Sequence, residues 1–190
     1  MVRYADDFVI LCRSQAEAQA ALEQVREWVA NAGLILHPEK TRLVNTQPPG
    51  GFDFLGYHFE RGVKWPRAKS RKKLKERVRE KTPRLDGRRL ATIIKDVNRT
   101  LRGWYGYFQH RKANGFTQVD GWVRRRLRSR LETRRGYTRQ GTGRAQNRWP
   151  HEWFANHGLR SLAELHAFTR TIVNYEPADW RAECVMWCAT

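Results

Sequence analysis

Cysteine is scarce in this chain: Cys12, Cys184 and Cys188 are the only three among 190 residues. Three thiols cannot build a disulfide framework, which fits a reducing cytosol. Cys184 and Cys188, four apart, would share a helix face, yet no second ligand pair with zinc spacing accompanies them. Long apolar runs are missing too. The longest, just after Asp7, is far too short to cross a bilayer, and Met1-Val2-Arg3 shows no signal-peptide pattern. The expectation is a cytoplasmic protein with no membrane partner.

Acid is the third shortage, 19 Asp and Glu against 37 Lys and Arg, for a formal net charge of +18. The excess is concentrated. Residues 1–62 hold 6 basic and 8 acidic side chains, residues 63–148 hold 28 and 6, and residues 149–190 hold 3 and 5. A net +22 in the middle segment implies a polyanionic partner, with affinity drawn from phosphate neutralisation and counterion release. A membrane surface or a solubility device is the alternative; nucleic acid is the reading.

What is present at the start is a pair of carboxylates, Asp6 and Asp7, inside an apolar run from Val2 to Cys12. Such a run broken by a polar pair reads as a β-hairpin with Ala5-Asp6-Asp7 at its tip. Rigidly held carboxylates suit a hard cation such as Mg²⁺; acidic turns that only solvate a loop are the other reading. Ser14 and Glu17 form a capping box for a helix over 15–32, with Ala18, Ala21, Leu22, Val25, Trp28 and Val29 as its core stripe and Gly33 as its stop. Leu34-Ile35-Leu36 and Leu43-Val44 read as short strands around Lys40. Phe52 to Phe59 reads as one strand bent at Gly56, and His58 as structural.

Composition changes abruptly at Gly62. Ser70–Lys81 is expected to be a helix with Leu74 and Val78 as a thin apolar seam, ended by Pro83. Asp86 would cap a second helix reaching about His110, with Leu90, Ile93, Ile94, Val97, Leu101, Trp104, Tyr105 and Phe108 inward. A third helix buries Phe116, Val119, Trp122, Val123, Leu127 and Leu131 and carries Arg124, Arg125, Arg126, Arg128 and Arg130 outward. Residues 134–148 read as a basic loop that orders on RNA. A short helix near 151–158 and one from Ser161 to Val173, again with a capping box at Ser161 and Glu164, follow.

Tyr4-Ala5-Asp6-Asp7 between apolar strands resembles the catalytic hairpin of reverse transcriptases. The later segments are most similar to the group II intron reverse transcriptases, or maturases. Phe54-Leu55-Gly56-Tyr57 resembles their primer grip, and Arg102-Gly-Trp-Tyr-Gly-Tyr-Phe108 resembles the signature of their maturase-specific region, also called the thumb or domain X. The resemblance implies an α+β fold: a partial palm over 1–62, a helical thumb/maturase bundle over 63–133, the basic loop 134–148 and a helical extension over 149–190. It implies Mg²⁺ at Asp6 and Asp7, with Lys40 at the leaving pyrophosphate. It implies RNA contacts from Lys72, Lys73, Arg77, Arg102, Arg124, Arg125, Arg126 and Arg128, with intron RNA and an RNA/DNA primer-template as partners. The aromatics of 102–108 would be core or a stacking platform.

Two-metal nucleotide transfer draws carboxylates from two places. The family's first catalytic aspartate lies well before the hairpin, and this sequence starts three residues before Tyr4. The expectation is therefore a fragment that does not polymerise DNA alone, unless a separate chain supplies the fingers and the rest of the palm. A stand-alone RNA-binding module and a decayed reading frame are the competing expectations.

Overall fold

The computed structural model describes residues 1–109, 115–137, 143–173 and 184–188, with 170–173 and 184–188 described by backbone alone. The expected helix end at His110 and the middle of the expected basic loop lie outside these residues. The fold is α+β and divides into two compact units, one built on Met1–Lys64 and one on Trp65–Pro177.

In the first unit, β1 (Val2–Tyr4) and β2 (Asp7–Cys12) pair antiparallel with Tyr4 opposite Asp7. Ala5 and Asp6 make the two-residue turn, and Ala5 takes a φ of 51°. Helix α1 (Gln15–Asn31) starts at Ser14, whose Oγ accepts from Glu17 N, while the Glu17 carboxylate accepts from Arg13 N at 2.7 Å. Phe8, Ile10 and Cys12 alternate along β2 and pack against Ala18, Ala21, Leu22 and Val25 of this helix, as period-two and period-3.6 patterns require. Two expectations need correction here. Leu34–Leu36 is not a strand, and Trp28 is not core. Trp28 is 67% exposed and Ile35 87%, and both line an open apolar groove of about 680 Å³.

Strand β3 (Arg42–Asn45) does not pair with β2. The sheet runs β1-β2-β7-β3, where β7 (Cys184–Cys188) pairs antiparallel with both neighbours. β2 and β3 are therefore parallel, joined by α1, with one strand between them: a split βαβ unit. Cys184–Cys188 is accordingly a strand rather than a helix.

Phe52–Phe59 is also not one bent strand. β4 (Phe52–Phe54) and β5 (Tyr57–Glu60) form a hairpin with Phe54 opposite Tyr57, and β6 (Val63–Pro66) completes a three-stranded sheet. Leu55-Gly56 and Arg61-Gly62 both have positive φ throughout, the sign pattern of the two-residue turn that matches strand twist. Glycine supplies the second position at no steric cost, which is why this chain folds back at Gly56 instead of bending.

In the second unit, α2 (Ala68–Lys81) buries Leu74 and Val78, α3 (Leu90–Phe108) buries Ile93, Ile94, Val97, Leu101, Tyr105 and Phe108, and α4 (Phe116–Arg134) buries Phe116, Val119, Val123 and Leu127. These stripes are the expected ones. They share one core with α5 (Gly143–Arg148), α6 (His151–Asn156) and α7 (Leu162–Val173) through Ala145, Trp149, Phe154 and Leu162. Gly143–Arg148 is thus helical where a loop is expected, with Ala145 buried against the bundle.

Asp120 of α4 is 4% exposed and closes the N-terminus of α7. Its carboxylate accepts from Ser161 Oγ at 2.8 Å, Leu162 N at 3.0 Å and Ala163 N at 3.0 Å. Ser161 Oγ in turn accepts from Glu164 N at 3.3 Å. A carboxylate at a helix N-terminus satisfies orphan donors and meets the positive end of the helix dipole. Asp120→Ala is expected to lower the stability of this unit by about 2 kcal/mol, read by urea unfolding followed by tryptophan fluorescence, with Asp120→Asn losing less. Wild-type stability in both variants would show that the cap is idle.

Candidate functional site

Register decides what shares one end of the first sheet. Val9 and Arg42 both pair with Trp187, from opposite sides. Lys40, two residues before Arg42, and Asp7, two residues before Val9, therefore lie toward the same end of the sheet. Lys40 sits in the turn after His37, whose carbonyl accepts from Lys40 N at 3.2 Å and Thr41 N at 3.0 Å. The hairpin carboxylates and Lys40 thus come from distant parts of the sequence to one sheet end. Asp6 is exposed, Asp7 half-buried and Lys40 exposed, and Asp6 also lies on the rim of the groove beside Trp28 and Leu34–Leu36. Among the described residues no group of three or more His, Cys, Asp or Glu is arranged to hold a metal ion.

The Phe54-Leu55-Gly56-Tyr57 segment is the tip of the β4–β5 hairpin. Phe54 and Tyr57 are buried, so only Leu55 and Gly56 are presented. Leu55, with a φ of 47°, holds a left-handed backbone that costs a leucine about 1–2 kcal/mol. Phe52 stacks on Phe59 at 5.1 Å, and His58 Nδ1 lies 2.7 Å from Asp53 Oδ1 on the opposite strand, which pins the hairpin. Lys64 Nζ sits 5.4 Å over the Tyr57 ring, and burial holds its pKa below the ordinary lysine value.

The cations of the second unit split into two groups. On α2, Lys72, Lys73 and Arg77 are exposed, while Lys75 and Arg79 lie over the Trp122 ring at 5.7 and 5.5 Å. Arg102 and Arg125 are exposed, and Arg124 is half-buried.

The other α4 arginines require a correction, since the expected outward row is largely turned inward. Arg126 donates to Thr82 Oγ1 at 3.1 Å and to Thr82 O at 2.8 Å. Arg130, fully buried, donates to Pro83 O at 3.1 Å, Asp86 O at 2.8 Å and Arg88 O at 3.3 Å. Arg134 donates to Asp86 O at 3.0 Å and Arg88 O at 2.8 Å. Arg128 is buried as well, donating to Trp149 O at 2.9 Å and lying 5.5 Å over the Phe154 ring. Burial first, then neighbouring arginines, holds the pKa of Arg126, Arg128 and Arg130 below the ordinary value. These side chains tie the α2–α3 connection and the α4–α6 contact together, and Arg128 and Arg130 are too buried to reach phosphate.

Spacing held the clue. Arg126, Arg130 and Arg134 stand seven residues after Val119, Val123 and Leu127, hence on the same face of α4.

Comparison with known proteins now bears on this geometry. The reverse transcriptase (RNA-dependent DNA polymerase) family matches residues 1–59, and the group II intron maturase-specific domain matches residues 71–149. The chain belongs to the group II intron reverse transcriptase/maturase family. No match is found among curated proteins. The hairpin carboxylates, Lys40 and the β4–β5 tip fall inside the reverse transcriptase match, and the basic helices inside the maturase match. Reverse transcriptases are generally metal-dependent, and the two matches together imply RNA binding. Among the described residues, no helix is long and apolar enough to cross a membrane.

Asp86 gives this helical unit an acid-sensitive joint. Its carboxyl is held below the ordinary carboxylate range first by the Arg88 N–H at 2.8 Å, against the opposing effect of burial, with the Arg88 side chain and the Arg130 charge adding to the depression. A depressed folded pKa makes its stabilisation complete above the ordinary carboxylate range and lost as pH falls through the depressed value. Asp86→Asn is therefore expected to flatten the acid side of the unfolding-midpoint profile, measured by thermal melts from neutral pH downward. Arg130→Met, which takes the Arg130 donor from Pro83 O and leaves Asp86 O and Arg88 O to Arg134, is expected to cost about 2 kcal/mol at neutral pH.

Proposed function

We propose that this maturase-family chain binds intron RNA through the exposed cations of its helical unit. In the same reading it presents Asp6 and Asp7 as part of a Mg²⁺ site at the primer end. The observation that carries the reading is the row Lys72, Lys73 and Arg77 on α2. These side chains are exposed in a segment matched to the maturase-specific domain, whereas Arg128 and Arg130 of α4 are buried in the fold. Contacts from such a row go to phosphate and give affinity with little sequence choice.

Two adjacent carboxylates at a tight turn suit Mg²⁺, which takes one or two carboxylates and fills its remaining positions with substrate phosphates and water. When bound, the ion would supply positive charge to a transferring phosphoryl group. Lys40, toward the same sheet end as Asp7, would neutralise or protonate a leaving phosphate there. The turn at Leu55-Gly56 offers its backbone to the primer strand. Complete two-metal transfer asks for a further carboxylate beside Asp6 and Asp7.

A stand-alone RNA-binding module is the second reading. It is favoured by the helical unit having its own core, which needs neither Asp6 nor Asp7. The two readings separate in one experiment on the purified chain, combining primer extension on an RNA template in Mg²⁺ with RNA binding across a salt series. The Asp6→Ala, Asp7→Ala variant is expected to keep full RNA affinity. Replacing Lys72, Lys73 and Arg77 with Gln is expected to weaken binding at low salt and to reduce the log–log salt slope by about 2. Primer extension by the wild type and not by the aspartate variant would support the catalytic reading, and absence of salt-sensitive RNA binding in the wild type would overturn both.

A further inference from the structure

The α2 row is not the only cationic surface of the helical unit. Lys95, Arg99 and Arg102 project from α3 at spacings of four and three, and Arg160, in the connection between α6 and α7, faces them across a groove of about 470 Å³. The groove is built rather than incidental. Asn98, between the α3 cations, donates through Nδ2 to Gly158 O at 2.7 Å and accepts through Oδ1 from Arg160 N at 3.0 Å. This reciprocal pair joins segments sixty residues apart and fixes the base of Arg160 against α3. His157 stands at the rim, its ring stacked on Trp153 at 3.8 Å and its Nδ1 2.7 Å from Trp153 O.

Among the described residues none of the four cations pairs with a carboxylate. The acid nearest in sequence, Asp96, is already engaged by Arg88 at 3.1 Å. Like charges at helical spacings of three and four repel, and a concave wall of one sign concentrates the potential. An uncompensated arrangement of this kind is stable in company with an anion. Lys95 and Arg102 lie seven residues apart, about 10 Å along the axis, which is longer than one phosphate requires and suits successive phosphates of a nucleic-acid backbone.

The groove also faces away from α2. The cleft that α2 makes with α3 is lined on the α3 side by Thr100, Gly103, Trp104, Tyr107 and Phe108, whose mean direction is about 140° round the helix from that of Lys95, Arg99 and Arg102. We propose that the Lys95–Arg99–Arg102–Arg160 groove is a second RNA-backbone site, so that the helical unit grips folded RNA at two backbone segments on different sides of α3. The proposal rests on the RNA-binding reading above and adds to it a second point of attachment and a preference for RNA with two backbone segments side by side.

The test compares the wild-type chain, a groove variant (Lys95→Gln, Arg99→Gln, Arg160→Gln), the α2 variant (Lys72→Gln, Lys73→Gln, Arg77→Gln) and a charge-keeping control (Arg99→Lys, Arg160→Lys). Each binds a folded RNA with two adjacent helices, read by affinity across a salt series and by hydroxyl-radical protection of the RNA. The groove variant is expected to lose at least tenfold in affinity and about 2 in salt slope, and to lose one protected segment. The α2 variant should lose the other segment, and the control should retain both. Thermal melts report folding, and if the triple groove variant melts early, Arg160→Gln alone is expected to lose part of the same segment. A wild-type chain that binds while the groove variants keep its affinity, slope and footprint overturns the groove proposal alone. A wild-type chain that does not bind overturns the RNA reading as well. ATP binding that is lost in the groove variant with the RNA footprint unchanged assigns the groove to a small polyphosphate and also overturns the proposal.

Discussion

The helical unit depends on guanidinium groups donating to backbone carbonyls. Arg126, Arg130 and Arg134 lie one turn apart on α4 and take hold of Thr82, Pro83, Asp86 and Arg88, the residues that lead α2 into α3. The carbonyls at the end of α2 are the ones a helix leaves unsatisfied and its dipole makes negative. A buried guanidinium is expensive unless its donors are matched, and here Nε and Nη2 of Arg130 find carbonyls in a connection that forms no regular structure of its own. The clamp therefore fixes α2 against α3 and α4 together. It also determines which face of α2 is turned to solvent, and with it the direction of Lys72, Lys73 and Arg77.

This division of labour changes the meaning of the charge excess. A net +22 over 63–148 suggests a uniformly basic surface, yet part of it is internal architecture. Arg128 holds Trp149 O and covers Phe154, and Lys75 and Arg79 cover Trp122. What remains for a polyanion includes the α2 row and the α3 groove. The buried arginines contribute to RNA binding by shaping those faces rather than by contact, so their loss would act through stability, whereas loss of the exposed cations would act through the salt dependence of binding.

Helical stripes were legible because burial follows the 3.6 period directly: Leu74 and Val78, the α3 series from Ile93 to Phe108, and Phe116 to Leu127 were all readable by spacing. The hairpin with Asp6 and Asp7 was readable for the corresponding period-two reason. Arg126, Arg128 and Arg130 are less legible because charge argues for solvent while phase argues for the core, and two of them share the face of Val119 and Val123. Gly56 is ambiguous because a glycine in an aromatic run fits both a bend and a reversal, and only pairing of Phe54 with Tyr57 decides between them. Asp120 could have been suspected from its position on the apolar stripe of α4. Its partner, the start of α7, lies forty residues away and leaves no local trace.

The first sheet shows the same limit more sharply. β2 and β3 are neighbours in sequence order but not in space, because the strand 184–188 separates them. No local pattern in either strand announces an insertion from so far along the chain, since an antiparallel partner asks only for a compatible register. That inserted strand nevertheless sets how far apart β2 and β3 stand, two strand spacings of about 10 Å in all rather than one, so the width of the sheet end that carries Asp7 depends on a strand from the far end of the sequence.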